Sequence, residues 1–534
     1  MAAAAALAAA LLLLSASQAA ATFHPHSCLG GSVDGPAPRV PMCFGKMFPR
    51  LPAFHYSDQA AADLAATMEN PHPDPPGTDR GTPDDSATLP SEYTYLGQFI
   101  DHNLDFDATN QPTSDVNPRS LTNFESFRFD LNDVFGGGPK VDPQVYASDH
   151  KHLLISGTLG RPKADGFPTV KGNGGVFDLA RNPVTGQAYL VDERNDENQI
   201  VSQITAAFIA FYNDFINRGY SYARARQLTE DYYQEIVLTD VLPAFVGQST
   251  INKYLHIGPH GSVHVLTPNF QNANFTPIEF SVGAYRFGHS LVRNDYHIND
   301  IKPRTSEIQD NVAIFDLNAF QTGDLSGGGP LPGPNHSGPS TCTSRSLCTQ
   351  PNPAGHQIEW KYFVPRLNPN EHARTINFAR QTQPSVSPAL FNLPAEAIPG
   401  CTDAASPVCN GSDQLVSRDL ARGNYDGLAS GQAVARALGC PVIPARSINP
   451  TKDAVFNRGT PLLYYVLAEA KKAHEVLGCV GRSIIAQVFV RVLWDTPHSI
   501  LHTHFRPSPS LVKLAPEKPL FSFADLLVDT RLAP

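Results

Sequence analysis

Five side chains in this sequence have the types and spacing for chemistry: Gln98, His102, Arg194, Glu197 and His289. Gln98 and His102 lie four apart within Tyr95-Leu96-Gly97-Gln98-Phe99-Ile100-Asp101-His102-Asn103-Leu104-Asp105. On a helix they share one face, with Asp101 beside them and Asp105 a turn on. An imidazole and an amide aimed at one point, flanked by a carboxylate among apolar residues, suit a small polar ligand in an apolar pocket. For an isolated Asp-His pair the ordinary alternative is a helix whose histidine is merely hydrogen-bonded. Arg194 and Glu197 lie three apart and open a second helical pattern, with an apolar stripe of Ile200, Val201, Ile204, Phe208, Phe211 and Phe215. Acids in a first turn complement the helix dipole, but an N-terminal cap does not call for an arginine. His289 follows Gly288, which lets a flat group approach closely; alone, such a histidine is more often packed in a core.

The elements that must position these groups carry a resemblance. The stretch around His102 resembles the distal segment of the animal-type haem peroxidases, the peroxidase–cyclooxygenase superfamily. Residues 192–198 resemble that family's distal arginine–glutamate helix, a likeness that extends through Phe211-Tyr212-Asn213 and residues 240–247. Ala284-Tyr285-Arg286-Phe287-Gly288-His289 resembles the proximal segment, and residues 418–439 resemble in part the region whose first residue hydrogen-bonds the proximal histidine, here Asp419. The motifs fall in order between about residues 90 and 500.

The resemblance implies a mainly α fold with little strand, one large domain over residues 90–534, and haem b as cofactor. His289 would ligate the haem iron, His102 would move the peroxide proton, and Arg194 would stabilise charge on the leaving oxygen. Gln98 would orient water or an anion, Arg286 would pair with a haem propionate, and Asp419 would make His289 more electron-rich. Asp101 and Glu197 occupy the positions where vertebrate members form ester links to haem methyls. The implied reaction reduces hydrogen peroxide while oxidising small organic donors or halide-type anions, which fits a response to oxidative stress.

Ser126-Phe127-Arg128-Phe129-Asp130-Leu131-Asn132 resembles the family's calcium loop, with Ser126, Arg128 (through its carbonyl), Asp130 and Asn132 as ligands. Oxygens alternating before a glycine turn suit a hard cation, and an Asx-rich turn is the plainer reading. The acid that follows the distal histidine in the family is Asn103 here, so weak calcium binding or none is expected. Two alternatives stand beside the peroxidase. A fatty-acid dioxygenase of the same superfamily would place a radical-forming tyrosine three residues before the proximal histidine, where this chain has Arg286, with Tyr285 one further back. A secreted scaffold without activity would not need His102, Arg194 and His289 together.

The chain has 534 residues, 41% hydrophobic and 17% charged, with net charge -10. Such a composition supports a large core, and an acidic balance without basic runs excludes nucleic acid and anionic membrane as partners. Residues 1–21 read as a secretory signal, with an apolar run through Leu14 and small residues Ala19-Ala20-Ala21 for cleavage. An uncleaved anchor is the alternative, but the run is short and lacks a stop-transfer flank. After signal removal no segment is expected in a membrane. Residues 22–89 are rich in proline and glycine and read as an N-terminal extension wrapping the core. Eight cysteines follow the signal, and local pairs such as Cys28–Cys43, Cys342–Cys348 and Cys401–Cys409 are the natural expectation. Asn274, Asn335 and Asn410 head glycosylation sequons.

Overall fold

The computed structural model describes residues 42–70, 84–107, 112–155, 179–180, 188–258, 261–298, 311–313, 358–367, 376–393, 414–511, 514, 520–530 and 532. The leader, the cysteines at 28, 342, 348, 401 and 409, and the sequons at Asn335 and Asn410 lie outside the described residues.

Apolar residues at helical spacing become helices wherever a capping residue opens them. Ser57 accepts from the Ala60 N–H and starts α1 (Asp58–Ala66). The long helix α2 (Glu92–Leu104) carries Gln98 and His102 and buries Tyr95, Leu96, Phe99 and Ile100. Asn198 caps α3 (Gln199–Asn217) by accepting from the N–H groups of Ile200 and Val201. The expected stripe of α3 is buried, together with nearly every other residue of that helix, so α3 is a central element and not a surface one. There follow α4 (Tyr222–Ile236), α5 (Leu415–Tyr425), α6 (Gly431–Leu438), α7 (Leu462–Ala473), α8 (Cys479–Asp495) and α9 (Phe523–Asp529).

The back of α2 packs on α3 through aromatic rings. Phe99 stacks on Phe208 with centroids 5.0 Å apart, and Tyr233 of α4 meets both edge-on. Such pairs contribute about 0.5–1.5 kcal/mol each beyond area burial and fix the rotation of α2 about its axis. That rotation decides where Gln98 and His102 point.

Strands are few and short. A three-stranded sheet pairs Met42–Gly45 antiparallel with Thr122–Asn123 and parallel with Thr276–Pro277, and the other described sheets are two-stranded. The fold is therefore mainly α, as expected. Residues Pro36–Pro534 form one compact unit. Within it, Asn424 of α5 exchanges two hydrogen bonds with the Tyr56 backbone, at 3.1 and 2.9 Å.

His289 does not lie on a regular α-helix. Instead its segment is a wide turn (Glu279–Gly283) followed by tight 3-10 turns (Ala284–Leu291). The break falls at Gly283, where a Cβ would stand 2.8 Å from Leu462 Cδ2 of α7. A side chain there would have to displace the Leu462 side chain of α7.

Cys440 and Cys479 form a disulfide that ties the end of α6 to the start of α8, a pairing distant in sequence. Cys43 is also disulfide-bonded. Among the described residues no helix is long and apolar enough to cross a membrane. Asn274 is exposed.

Candidate active site

One cavity of about 370 Å³ gathers Gln98, Asp101 and His102 of α2, Arg194 and Glu197 of the turn before α3, Arg286 and His289 of the 3-10 segment, and Asp419 of α5. All eight residues come from four separate stretches of sequence, so the fold brings together what the sequence motifs only listed.

On the α2 wall, His102 is buried at 4% exposure. Its Nδ1 stands 3.0 Å from Asn195 Oδ1, and its Nε2 lies 3.8 Å from Glu197 Oε2. Burial, then the nearby Arg194 charge, lowers the His102 pKa below the ordinary imidazole value, against opposing effects of Glu197, Asp192 and the Asn195 hydrogen bond. The neutral ring is thus the favoured form near neutral pH. Gln98 Nε2 donates to Glu197 Oε1 at 2.8 Å and Asn198 Nδ2 donates to Gln98 Oε1 at 3.0 Å, which orders the amide and the acid beside the imidazole.

Arg194 serves two purposes. Its Nε and Nη2 clasp the Asp192 carboxylate, with Nη2 to Oδ2 at 2.6 Å. Nη2 also donates to the His102 carbonyl at 3.0 Å and Nη1 to the Asp105 carbonyl at 2.8 Å, and the group lies over the Phe106 ring. A guanidinium has five N–H donors, so these bonds commit four and leave one Nη1–H for a cavity ligand. The sequence reading had the arginine facing the pocket alone; it is also the clamp on the last turn of α2, whose carbonyls have no partner within the helix.

On the opposite wall, His289 Nδ1 stands 2.7 Å from Asp419 Oδ2. The carboxylate accepts, so Nδ1 carries the proton and Nε2 keeps its lone pair. A Cβ at Gly288 would stand in the cavity with no other protein atom within 4 Å. Arg286 donates from Nε to the Ser281 carbonyl at 2.7 Å and from Nη1 to Asp101 Oδ2 at 3.2 Å, and Asp105 Oδ1 is 3.7 Å from Nη2. Burial and the neighbouring Asp101 push Asp105 up to about 7, with Arg286 and Arg194 opposing. Asp101 Oδ1 and Asp105 Oδ2 are buried without a hydrogen-bond partner. Arg418 and Arg422 complete this end, Arg422 paired with Asp107.

These features fit a haem. There is an imidazole held by a carboxylate on one wall, a glycine opening toward the cavity, arginines able to meet propionates, and carboxylates able to meet a ring edge.

The expected calcium loop folds differently from a cation cage. Ser126 Oγ donates to Asp130 Oδ1 at 3.0 Å, and the Asn132 N–H donates to the same oxygen at 3.2 Å. Arg226 donates to the Asp130 carbonyl at 3.4 Å, and the Asn132 side chain is buried without a partner. Among the described residues no group of three or more His, Cys, Asp or Glu is placed to hold a metal ion. With Asp130 its one carboxylate, already bonded within the loop, the donor set of Ser126, Arg128, Asp130 and Asn132 does not fit a tight calcium site.

Three residues of the site carried no sequence signal of their own. Asp133 is wholly buried and accepts from Asn195 Nδ2 and Asn103 Nδ2, each at 2.8 Å. Burial pushes Asp133 up to about 7, opposed first by the Asn195 hydrogen bond. Their contact spans residues 103, 133 and 195, and no local periodicity reports it.

Residues 198–328 match the family model described as animal haem peroxidase. A search of curated proteins finds no match. The fold is similar to that of peroxidase A from Dictyostelium discoideum, at a TM-score of 0.56 and 14% identity, covering 93% of this chain and 95% of that one. It is also similar to a fatty acid alpha-dioxygenase from Arabidopsis thaliana, at a TM-score of 0.54 and 13% identity, covering 90% of this chain and 75% of that one. The chain has the fold of the haem peroxidases. The family match covers residues 198–328, and a family of that description implies haem as cofactor and oxidoreductase chemistry.

Proposed function

We propose that this protein is a haem-dependent peroxidase that reduces hydrogen peroxide to water and oxidises small organic donors or halide-type anions. The observation that carries the reading is the placement of neutral His102, with Arg194 and Gln98, on one wall of a cavity whose other wall holds His289 and Asp419. Haem bound through His289 would supply the redox centre that the side chains lack.

The chain's own residues then do the proton work. His102 Nε2 accepts a proton from one peroxide oxygen and returns it to the other as water leaves. The remaining Nη1–H of Arg194 stabilises negative charge on the departing oxygen, and its clamp on Asp192 holds it in place beforehand. Gln98, fixed by Glu197 and Asn198, orients water or an anion. Arg286, Arg418 and Arg422 would bind propionates in exchange for part of their present carboxylate contacts. Asp101 and Glu197 are the candidates for ester links to the haem, and the loop at 126–132 binds calcium weakly at most. Export through the leader at residues 1–21 accords with the Cys440–Cys479 disulfide.

A fatty-acid dioxygenase is the second reading. It is favoured by Tyr285, which lines the cavity and donates to the Gly97 carbonyl at 3.1 Å. Paired assays separate them on haem-loaded protein. A peroxidase consumes hydrogen peroxide with a phenolic donor and takes up no oxygen with a long-chain fatty acid. The reverse pattern establishes the dioxygenase, and absence of both leaves a scaffold.

A further inference from the structure

We infer that Asn195 and Asp133 are positioning residues that hold His102 as the Nδ1–H tautomer, with its Nε2 lone pair turned to the cavity. The inference rests on the peroxidase reading and assigns the part of that site which no sequence motif marked.

Asn195 Nδ2 donates to Asp133 Oδ2 at 2.8 Å, so the NH₂ side of the amide faces the carboxyl group. Its carbonyl oxygen therefore faces His102 Nδ1 at 3.0 Å, and Nδ1 must donate. That leaves Nε2 unprotonated, 3.8 Å from Glu197 Oε2 on the cavity side. The other Asp133 oxygen takes Asn103 Nδ2 at 2.8 Å, so the carboxylate is fixed by the residue next to the histidine it orients. His102, Asn103, Asp133 and Asn195 are all at least nine-tenths buried, so water does not compete for these bonds. The charges acting on His102 are those of Arg194, Glu197 and Asp192, while Nδ1 is bonded to Asn195.

An imidazole free to adopt the other tautomer would present an N–H to peroxide and could not act as base. Loss of the orienting partner of a metal-bound histidine costs roughly 10–100-fold, and the same order is expected for His102.

The test is the association rate of cyanide with haem-loaded protein, followed at the haem band at pH 8. Hydrogen cyanide must give up its proton to the distal base as it binds, so the readout is ligand binding and not turnover. Asn195→Ala should slow association roughly 10–100-fold and displace its pH midpoint, with haem content and melting temperature retained. Asp133→Asn, which leaves the amide direction undetermined, should slow it by less. The combined N195D/D133N exchange restores both hydrogen bonds with amide and carboxylate swapped, and should recover the rate. Wild-type rates and midpoint in folded, haem-loaded Asn195→Ala would overturn the assignment. If Asn195→Ala does not fold, the exchange variant decides: a near-wild-type rate supports the role, and the rate of a His102→Leu variant overturns it. A wild type that takes up no haem refutes the peroxidase reading and this role with it. A wild type that binds haem and cyanide while the variants match it refutes the role alone.

Discussion

Replacing Asp419 with asparagine keeps a hydrogen-bond acceptor for His289 but removes its charge. The contact is 2.7 Å, and the two side chains are 24% and 10% exposed, so solvent screens it little. A hydrogen bond to a charged partner contributes roughly 1.5–3 kcal/mol, against roughly 0.5–1.5 kcal/mol for a neutral pair. The midpoints differ by about 1.2 kcal/mol, and for a one-electron couple that corresponds to ~50 mV. An ionised acceptor makes the imidazole a stronger donor and favours the more highly charged iron, so its loss should raise the ferric/ferrous potential by that order. Spectroelectrochemical titration of wild type and Asp419→Asn reads the shift directly, with the haem band confirming that ligation survives. An unchanged potential in a variant that still binds haem would refute the reasoning, because the 2.7 Å contact would then not reach the iron.

Arg194→Leu should slow the reaction with hydrogen peroxide by about 10²–10³-fold in stopped-flow measurements, as removal of one fixed donor to developing charge does elsewhere. It should also lower the melting temperature, since the same group clamps the carbonyls of His102 and Asp105. The pH profile of that reaction has a definite sign. Burial and Arg194 lower the His102 pKa, so the rate should persist below the ordinary imidazole range and fall only as pH drops through the lowered value. An acid limb at or above the ordinary histidine value would contradict the burial account. Cys440→Ser with Cys479→Ser opens a loop with a sequence separation of 39. Chain entropy puts the loss at about 4 kcal/mol, read by denaturant unfolding, and no change in midpoint would show that the loop is held closed without the bond.

Much of this site was legible because its residues sit in local patterns. Gln98 and His102 share a helix face by spacing alone, and Asn198 followed by an apolar stripe marks the start of α3. The helical fold was legible for the same reason. Contacts between distant segments were not. Nothing near Asp133 in sequence says that it meets Asn195 and Asn103, and no pattern around Cys440 points to Cys479. The break in the segment that carries His289 was hidden too, because no local pattern marks where its wide turn gives way to 3-10 turns. The second task of Arg194 was hidden likewise, since the carbonyls it clamps exist as acceptors only once α2 has ended.

The central claim is that His289 holds a haem on which hydrogen peroxide is reduced. Its most direct measurement is the absorption spectrum of haem-loaded protein, wild type and His289→Ala, before and after peroxide and then a phenolic donor. The account predicts a Soret band in wild type that shifts with peroxide and returns as the donor is consumed, and its loss or displacement in His289→Ala. The same band and the same peroxide response in His289→Ala, or no Soret band in wild type, would contradict it.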